Sequence, residues 1–599
     1  DVCSSDLVYT LKEGGEGRTR NQRIEGVFTL EYKPVKGLSL RAVGGANILD
    51  GQKKEWRRAY GKYGVDGLIS TAFGQKSPNS VTQNNSHRQY LTGQLIAEYK
   101  GVFGKHDINV LGGWSAEENL YEDLQGKRTN IVGNELPALN LGDTDGWSNA
   151  ADENEWALLS GFMRASYAFA AKYLVEVNFR ADASSRFSKK NRWGVFPSAS
   201  VGWRITEEKF MQNQHIFDNL KLRASWGQLG NQNGLGLYDH IASYNINGYY
   251  PFKSELGQWA VISKLPSESR TWETVEVKNI AVDMAFLRNR LTVTGEYFIK
   301  KNKDMLVSIE IPSIIGIDVP TGNYGELKVK GWEVTVGWQD KIKDFSYGAR
   351  FNLSDQKDKL VDYGVEYNGF VAGVNQKVQG YSLGSIFGYR TDGYFTSEEE
   401  VKNSAAFNKA ITGVGDIKYI DKDGDGKISA PNDLEYLGTT TPRYTFGLNL
   451  TAAWKGFDLG VLLQGVGKRN FYLSSEVMNP YYATWNNFSY KMHNDYWTPE
   501  NPNAAFPRYY AGANHNYQIS DHWLQNAAYV RLKNLQLGYT ISPKLTKSWG
   551  IQRLRVYFSG DNLCEYSKLN DNFDPELSDI NGYVYPIMRN FSFGINVTL

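Results

Sequence analysis

The sequence predicts an all-β fold, a large antiparallel β-barrel that crosses a membrane with its strands. Apolar and polar residues alternate with a period of two over stretches of about 9–15 residues, which places one kind of side chain on each face of a strand. Short turns and long polar loops follow one another between these stretches, as in outer-membrane barrels and unlike soluble sandwiches. The composition agrees, with 60 Gly for turns and 38 Tyr, a residue type that favours strands.

The alternation is clearest in four segments. In 591–599, large apolar residues alternate with serine, glycine, asparagine and threonine, and 445–454, 279–286 and 173–180 repeat the pattern. Segments of this kind predict about 17 strands, near 23–33, 37–48, 89–101, 105–118, 157–170, 172–184, 193–206, 218–230, 272–287, 290–302, 326–340, 344–356, 441–455, 457–468, 527–541, 551–563 and 585–599. An odd number predicts part of a larger barrel, because bacterial single-chain barrels have even strand numbers.

The connections between these strands alternate in length. The short ones include Pro34–Gly37, Ala170–Lys172, Leu287–Arg290, Gln339–Asp344 and Lys455–Gly456. The long ones cover roughly 49–88, 119–155, 231–271, 357–440, 469–526 and 564–584. If the short turns are periplasmic, the last strand runs downward, and 357–440 is a single extracellular excursion whose strand-like pieces lie above the membrane.

The net charge, the number of cysteines and the first residues narrow the possible classes of protein. Lys+Arg is 66 and Asp+Glu is 65, a net charge of +1, which gives no case for a nucleic-acid partner. With only two cysteines, the sequence does not predict a disulfide framework. It contains no run of about 18 apolar residues, so no transmembrane helix is predicted. Residues 1–7 read like a translated sequencing adapter, so we expect the native barrel segment to be 8–599.

Several phrases of the sequence resemble the SusC/RagA family of TonB-dependent outer-membrane transporters. Each phrase alone is weakly specific, but their order and spacing together are specific from about residue 155 to the end. They are Tyr173–Arg186, Leu220–Asn231, Gly384–Glu400, Gly415–Ile428, Thr441–Gly467, Trp497–Arg508, Tyr529–Ile541 and Leu554–Leu563. The family chain usually ends in Phe, whereas this one ends in Leu599.

The resemblance implies a barrel of about 22 strands in the Gram-negative outer membrane, of which this chain holds about 17, with the plug domain missing. It further implies a SusD-like surface lipoprotein as a lid and TonB as the energy source, acting through the missing N-terminal region. The expected function is import of oligosaccharides or other large nutrients, and the protein is not expected to be an enzyme. The alternatives are oligopeptide import, and a receptor or adhesin that transports nothing.

An incomplete barrel is expected to be unstable on its own. Its two end strands would expose unpaired N–H and C=O groups to lipid, at a cost of several kcal/mol each. We therefore expect this 599-residue chain alone not to form a stable closed pore.

The sharpest local motif is Asp421–Ser429, which matches the first half of an EF-hand loop. Carboxylates stand at the first, third and fifth positions, Gly at the sixth, and a backbone carbonyl at the seventh. The predicted Ca²⁺ ligands are Asp421, Asp423, Asp425, Lys427 through its carbonyl oxygen, and Asp433. The twelfth position is Asn432, so Pro431 suggests a one-residue insertion before Asp433. A structural Ca²⁺ clip is one interpretation, and an acidic turn without metal is the other.

The segment 469–526 is rich in aromatic side chains, which can stack on sugar rings or peptide side chains. The candidate substrate-binding residues are Tyr481, Tyr482, Trp485, Tyr496, Trp497, Tyr509 and Tyr510. For any single one, packing between loops or an interfacial belt is the more common role. No catalytic set is predicted: Gly380–Gly384 matches G-x-S-x-G, but a strand-like segment follows where the motif requires a helix.

Overall fold

The computed structural model describes residues 11–60, 78–133, 135–252, 255–262, 264–308, 314, 321–364, 370–481, 491–570, 573–577 and 587–599. Residues 1–7, with their predicted foreign origin, lie outside these ranges. The described strands are β1 Gly15–Tyr32, β2 Leu38–Arg57, β3 Ser80–Phe103, β4 His106–Thr129, β5 Ser148–Phe169, β6 Tyr173–Ser184, β7 Trp193–Arg204, β8 Phe217–Asn231, β9 Tyr244–Phe252, β10 Glu255–Ile262, β11 Glu273–Phe286, β12 Leu291–Val307, β13 Gly322–Ile342, β14 Phe345–Asp362, β15 Gly373–Gln376, β16 Ser385–Tyr389, β17 Thr391–Tyr394, β18 Ile417–Tyr419, β19 Leu434–Thr439, β20 Arg443–Trp454, β21 Phe457–Lys468, β22 Asn470–Tyr472, β23 Leu524–Asn526, β24 Tyr529–Thr540, β25 Arg553–Ser567 and β26 Asn590–Thr598.

Short helices accompany the strands. The described α-helices include α1 Glu398–Asn403, α2 Ser475–Met478 and α3 Pro543–Thr546, and the described 3₁₀ turns include Lys491–Asn494, His515–Tyr517 and Asp521–Trp523. No helix in the described ranges is long and apolar enough to cross a membrane.

One antiparallel sheet of 17 strands dominates the fold. It is a meander, because its strands pair in the order in which they follow one another along the chain. These strands are β1–β8, β11–β14, β20, β21 and β24–β26. The predicted all-β, antiparallel class is therefore confirmed. Each predicted segment overlaps one of these strands, whereas the total of about 22 strands and the missing plug stay predictions.

Successive connections in the meander lie at opposite ends of the sheet, and they differ in length. Tight turns join β3 to β4, β5 to β6, β13 to β14 and β20 to β21, and we call this the short-turn end. At Lys455 and Gly456 both φ angles are positive, at 47° and 94°, which matches the right-handed twist of the two strands. The predicted turn Gln339–Asp344 was too long, because β13 continues to Ile342 and its polar residues pair across to β14.

The opposite, long-loop end carries the small sheets. The strands β9 and β10 form a hairpin between β8 and β11, and β15–β19 lie between β14 and β20. The strand β14 runs to Asp362, so the excursion predicted at 357–440 begins later, after the end of the strand. The longest strands, β3 and β4, have 24 residues each. A bilayer needs only about 9–11 residues per strand, so these strands reach well beyond one.

Candidate functional site: the outer face, the inner face and the long-loop lobe

The two faces of the large sheet differ in polarity. Along β6, Val175, Val177 and Phe179 on one face are 40–45% exposed, and Glu176 and Asn178 point to the other. We call the apolar side the outer face and the polar side the inner face. Large exposed apolar side chains that are contiguous over many strands mark a surface that contacts something apolar. This period-two arrangement is the one expected of a sheet between lipid and water.

A belt of aromatic rings crosses the outer face at the short-turn end. Its members are direct cross-strand partners, and rings at the edge of an apolar band are typical of a membrane–water interface. One row contains Phe103, His106, Phe169, Tyr173 and Trp203, and a second contains Phe345, Trp454, Phe457 and Tyr539. The two rows place one edge of the apolar band at the short-turn end.

The inner face carries hydrogen-bonded and paired charges. Arg223 lies 2.9 Å from Asp283 and 3.2 Å from Glu296, and Arg555 lies 2.6 Å from Asp458. A cavity of 1140 Å³ lies on this face near the short-turn end, lined in part by Glu176, Lys221 and Arg223. Ion pairs of this kind are stable beside water, so the inner face is suited to line an aqueous lumen.

At the long-loop end, three connections fold together into one lobe. It comprises the described residues of 370–442, 469–528 and 568–577, which follow β14, β21 and β25. Its core joins all three, and includes Tyr389, Ile417, Leu434, Phe471, Trp523 and Leu569. The lobe is therefore a packed body on the sheet and not a set of separate loops.

A buried carboxylate links two of these connections. Asp416 is fully buried, and its oxygens accept hydrogen bonds from Tyr510 Oη at 2.9 Å and Asn516 Nδ2 at 2.9 Å. The His515 Nε2 atom lies 3.0 Å from the same carboxylate, and the Gly413 N–H donates to it at 2.8 Å. A charge buried in this way needs such partners, so these bonds hold 413–417 against 510–516. No sequence pattern singled out Asp416, because its side-chain partners lie about a hundred residues away.

The predicted aromatic residues occupy different environments in the lobe. Tyr481 and Tyr496 are 38% and 43% exposed, and each lies 5.4 Å, between ring centroids, from Tyr509. Tyr509 donates from its hydroxyl to the His493 carbonyl at 2.9 Å, and burial raises its pKa. Trp497 is half-buried and Tyr510 bonds to Asp416. Tyr482 and Trp485 lie outside the described residues. Substrate contact by these residues stays a prediction.

The acidic loop brings three of its predicted ligands together. Carboxylate oxygens of Asp421, Asp423 and Asp433 lie within 4.8 Å of one another. Burial raises the pKa of Asp421, but backbone N–H groups of Gly426 and Gly424, which donate to it at 2.8 and 2.7 Å, outweigh this and lower it. Asp425 lies apart from the cluster and accepts from the Lys427 N–H at 2.8 Å. Three oxygens at this spacing fit a hard cation such as Ca²⁺.

The serine of the G-x-S-x-G segment bonds to a carboxylate. Ser382 donates from its hydroxyl to Asp358, and the Leu383 N–H donates to the other oxygen at 2.8 Å. The strand β16 follows, where a nucleophile elbow would need a helix. These contacts attach the segment that follows β14 to the long-loop end of that strand.

Comparison with known proteins assigns the chain to a family. It matches the family described as TonB dependent receptor-like, beta-barrel, over residues 7–563. The chain belongs to the TonB-dependent receptor family. It is of the SusC/RagA type and resides in the outer membrane. The outer face is therefore the lipid face and the inner face lines the lumen, whereas the extracellular position of the lobe stays a prediction.

Curated relatives and solved structures agree with this family assignment. The TonB-dependent receptor P3 of Formosa agariphila is 28% identical over 542 residues, covering 86% of this chain and 52% of the relative. The TonB-dependent receptor SusC of Bacteroides thetaiotaomicron is 28% identical over 463 residues, covering 74% and 43%. The chain thus spans about half the length of the curated relatives it matches. The structure of the RagAB peptide transporter has the same fold, with a TM-score of 0.83, 23% identity, and 98% and 63% of the two chains covered.

Proposed function

We propose that the complete protein imports oligosaccharides or other large nutrients across the outer membrane, together with a SusD-like surface lipoprotein and with energy from TonB. The observation that carries this proposal is the sheet with an apolar outer face and a charged inner face beneath a packed lobe. The named relatives are transporters or receptors and not enzymes. Transporters of this type normally pair with such a lipoprotein and with a TonB-type energy transducer.

The two exposed tyrosines of the lobe are the best-placed candidates for substrate contact. Tyr481 and Tyr496 flank Tyr509 and together offer a surface of three rings. Sugar rings stack on such faces, and each stacked ring adds about 1 kcal/mol, or about a fivefold change in affinity. Tyr509 is fixed by its hydrogen bond, so the flanking rings are held in place.

Uptake measurements on cells test this proposal. Cells that carry the full-length gene are supplied with labelled oligosaccharides or labelled peptides, and the Y481A/Y496A variant is compared with wild type. We expect the half-saturation concentration for the oligosaccharide to rise about 25-fold. Y566A removes a tyrosine that is 72% exposed on the lipid side of β25 and serves as the matched control. Oligosaccharide uptake that is the same in Y481A/Y496A and Y566A would exclude these rings as a substrate contact.

Oligopeptide import is the second candidate, and it is favoured by the fold shared with the RagAB peptide transporter. The same cells distinguish the two, because peptide uptake without oligosaccharide uptake would select it. A receptor or adhesin would bind either ligand at the surface without TonB-dependent accumulation. Co-purification of a lipoprotein with the full-length protein tests the proposed lid.

We propose further that the acidic loop binds a structural Ca²⁺ through Asp421, Asp423 and Asp433. Asp433 already joins the two ends of the loop, because its carboxylate accepts hydrogen bonds from the N–H groups of Lys422 and Ser429. The ion would strengthen this link. Extracellular sites of this kind bind Ca²⁺ with dissociation constants of about 10⁻⁴–10⁻³ M. Calorimetry on the full-length protein should show binding that D423N weakens by at least about tenfold and D145N, outside the loop, leaves unchanged. No heat at millimolar Ca²⁺ would exclude the site.

A further inference from the structure

The outer face of the sheet carries two rows of lysines directly above its apolar band. On β12, β13 and β14, Lys301, Lys328 and Lys359 are cross-strand partners in one row. In the adjacent row Lys330 pairs with Lys357, and Lys278 of β11 lies in the same row beyond Ile299. We call these six side chains the lysine rows.

Apart from Asp355, the side chains below the lysine rows on β11–β14 are apolar, and they fix which face the lysines occupy. The next row toward the short-turn end contains Ile280, Tyr297 and Trp332, and the row beneath it Val282, Val334 and Leu353. Ile280 and Tyr297 are 60% and 44% exposed. In a strand, residues two apart share a face, so the lysines stand on the same face as this apolar surface and not in the lumen.

The height of the rows places them at the lipid headgroups. Lys330 lies about 12 residues before the end of β13, which at about 3.3 Å per residue and a strand tilt of about 40° is about 30 Å above the short-turn end. The apolar band of an outer-membrane barrel is about 25 Å tall. The ammonium groups therefore stand just beyond the outer edge of the hydrocarbon layer.

The charges in this region do not balance within the described part of the chain. Glu276 pairs with Lys278 at 3.3 Å and with Lys303 at 2.6 Å, and Glu326 lies 3.7 Å from Lys301. Asp355, in the row below, is bound by Arg443. Lys328, Lys330, Lys357 and Lys359 form no ion pair with any described carboxylate, which leaves four cations on adjacent strands.

Like charges directly opposite each other destabilise a sheet. The partners Lys328–Lys359 and Lys330–Lys357 are both of this kind. Anions between the strands would relieve this repulsion. Since the side chains emerge at headgroup level, these anions would belong to lipid. Lysine clusters at a membrane surface bind phosphorylated headgroups, with about 1 kcal/mol for each basic residue.

We propose that the lysine rows bind the phosphate groups of a phosphorylated lipid in the outer leaflet of the outer membrane. The lipid's acyl chains would lie against Ile280, Tyr297 and Trp332, and its phosphates would bridge Lys330 with Lys357 and Lys328 with Lys359. The site lies on the outside of β11–β14, on the face opposite the lumen, and Lys357 borders the base of the lobe. Its function is separate from substrate import.

Native mass spectrometry of the full-length protein in mild detergent tests the proposal, with bisphosphorylated lipid A as the probe. Wild type should retain this lipid, and removal of its phosphates should abolish retention. The K330Q/K357Q variant should bind about 25-fold more weakly, at about fivefold per lysine. K330R/K357R keeps both charges and should bind like wild type. The K300Q/K127Q variant removes two lysines of the inner face and is the matched control.

Four results would overturn the proposal. They are equal retention of the phosphorylated and dephosphorylated lipids, equal loss of binding in K330Q/K357Q and K300Q/K127Q, failure of the arginine variant to restore binding, and displacement of the lipid by inorganic phosphate at comparable concentrations. The last would identify a free-phosphate site. Retention of the heat-modifiable folded band by each variant shows that insertion is intact, so loss of lipid cannot be attributed to misfolding.

Discussion

Trp523 holds the lobe together, and its removal should open the lobe without unfolding the sheet. The side chain is 1% exposed. Its ring centroid lies 5.6 Å from that of Tyr517 and 5.7 Å from that of Phe506, and its indole N–H donates to the Asn516 carbonyl at 3.2 Å. It thus contacts the segments 504–510 and 515–518 at once, and no side chain of the large sheet takes part in these contacts.

The magnitude follows from the burial of the ring. An indole side chain buries about 200 Å², which at about 25 cal/mol per Å² is about 5 kcal/mol. Replacement of a buried Trp by Ala typically costs about 3–5 kcal/mol, because the cavity partly collapses. The W523A variant should therefore lower the free energy of local opening of the lobe by about 3–5 kcal/mol. Amide protection there should fall by roughly two to nearly four orders of magnitude.

Hydrogen exchange followed by mass spectrometry on the full-length protein measures this effect. Peptides that cover 416–419 and 504–517 should exchange faster in W523A, and peptides from β5 and β6 should not change. The W523F variant keeps most of the ring and should lie between W523A and wild type. The reasoning is refuted if lobe exchange is unchanged in W523A, or if β5 and β6 lose protection to the same extent.

Three further predictions concern the lipid face, the pH response and the lobe backbone. L450R places a charge on the lipid face of β20 and should lower the free energy of unfolding in lipid vesicles by about 2–4 kcal/mol, whereas T451R faces the lumen and should cost less than about 1 kcal/mol; equal costs would contradict the assignment of faces. The backbone N–H of Thr396 and the ammonium of Lys418 lower the pKa of Glu400 to about 2, so its stabilisation of the lobe is complete above pH ~4.5 and is lost as pH falls toward 2; E400Q should remove this part of the pH dependence of hydrogen exchange, and an unchanged profile would contradict it. G415A adds a methyl group at φ +91° and should destabilise the lobe by about 1–3 kcal/mol, measured as exchange at 413–417; unchanged exchange would show that the backbone there can relax.

The membrane-crossing parts of the strands could be predicted from the sequence closely. For β20 and β21 the alternation runs without interruption to the Lys455–Gly456 turn, and the predicted bounds lie within two residues of those observed. Lipid on one side and water on the other impose strict alternation, so the pattern is strong where the bilayer is. The long-loop ends of the strands were missed because this alternation is not imposed above the bilayer. In β3, predicted from 89, the strand begins at Ser80, because above the bilayer polar residues such as Gln83 and Asn85 stand on the outer face.

The lobe could not be predicted, because its contacts join residues far apart in the chain. Tyr389, Trp523 and Leu569 meet in one core although they come from three connections. The EF-hand pattern predicted Asp421, Asp423 and Asp433 together, since they lie within one local loop, and the structure brings these three into one cluster. Asp425 departs from the pattern, since its carboxylate lies outside the cluster and accepts the Lys427 N–H.

The central claim is that one face of this sheet meets lipid and the other meets water. Single cysteines at 174–179 in β6 test it most directly, in full-length protein whose native cysteines, Cys564 among them, are replaced by serine. Labels at 175, 177 and 179 should be quenched by a lipid-soluble quencher, and labels at 174, 176 and 178 by a water-soluble one. Quenching that shows no period of two, or the opposite phase, would contradict the account.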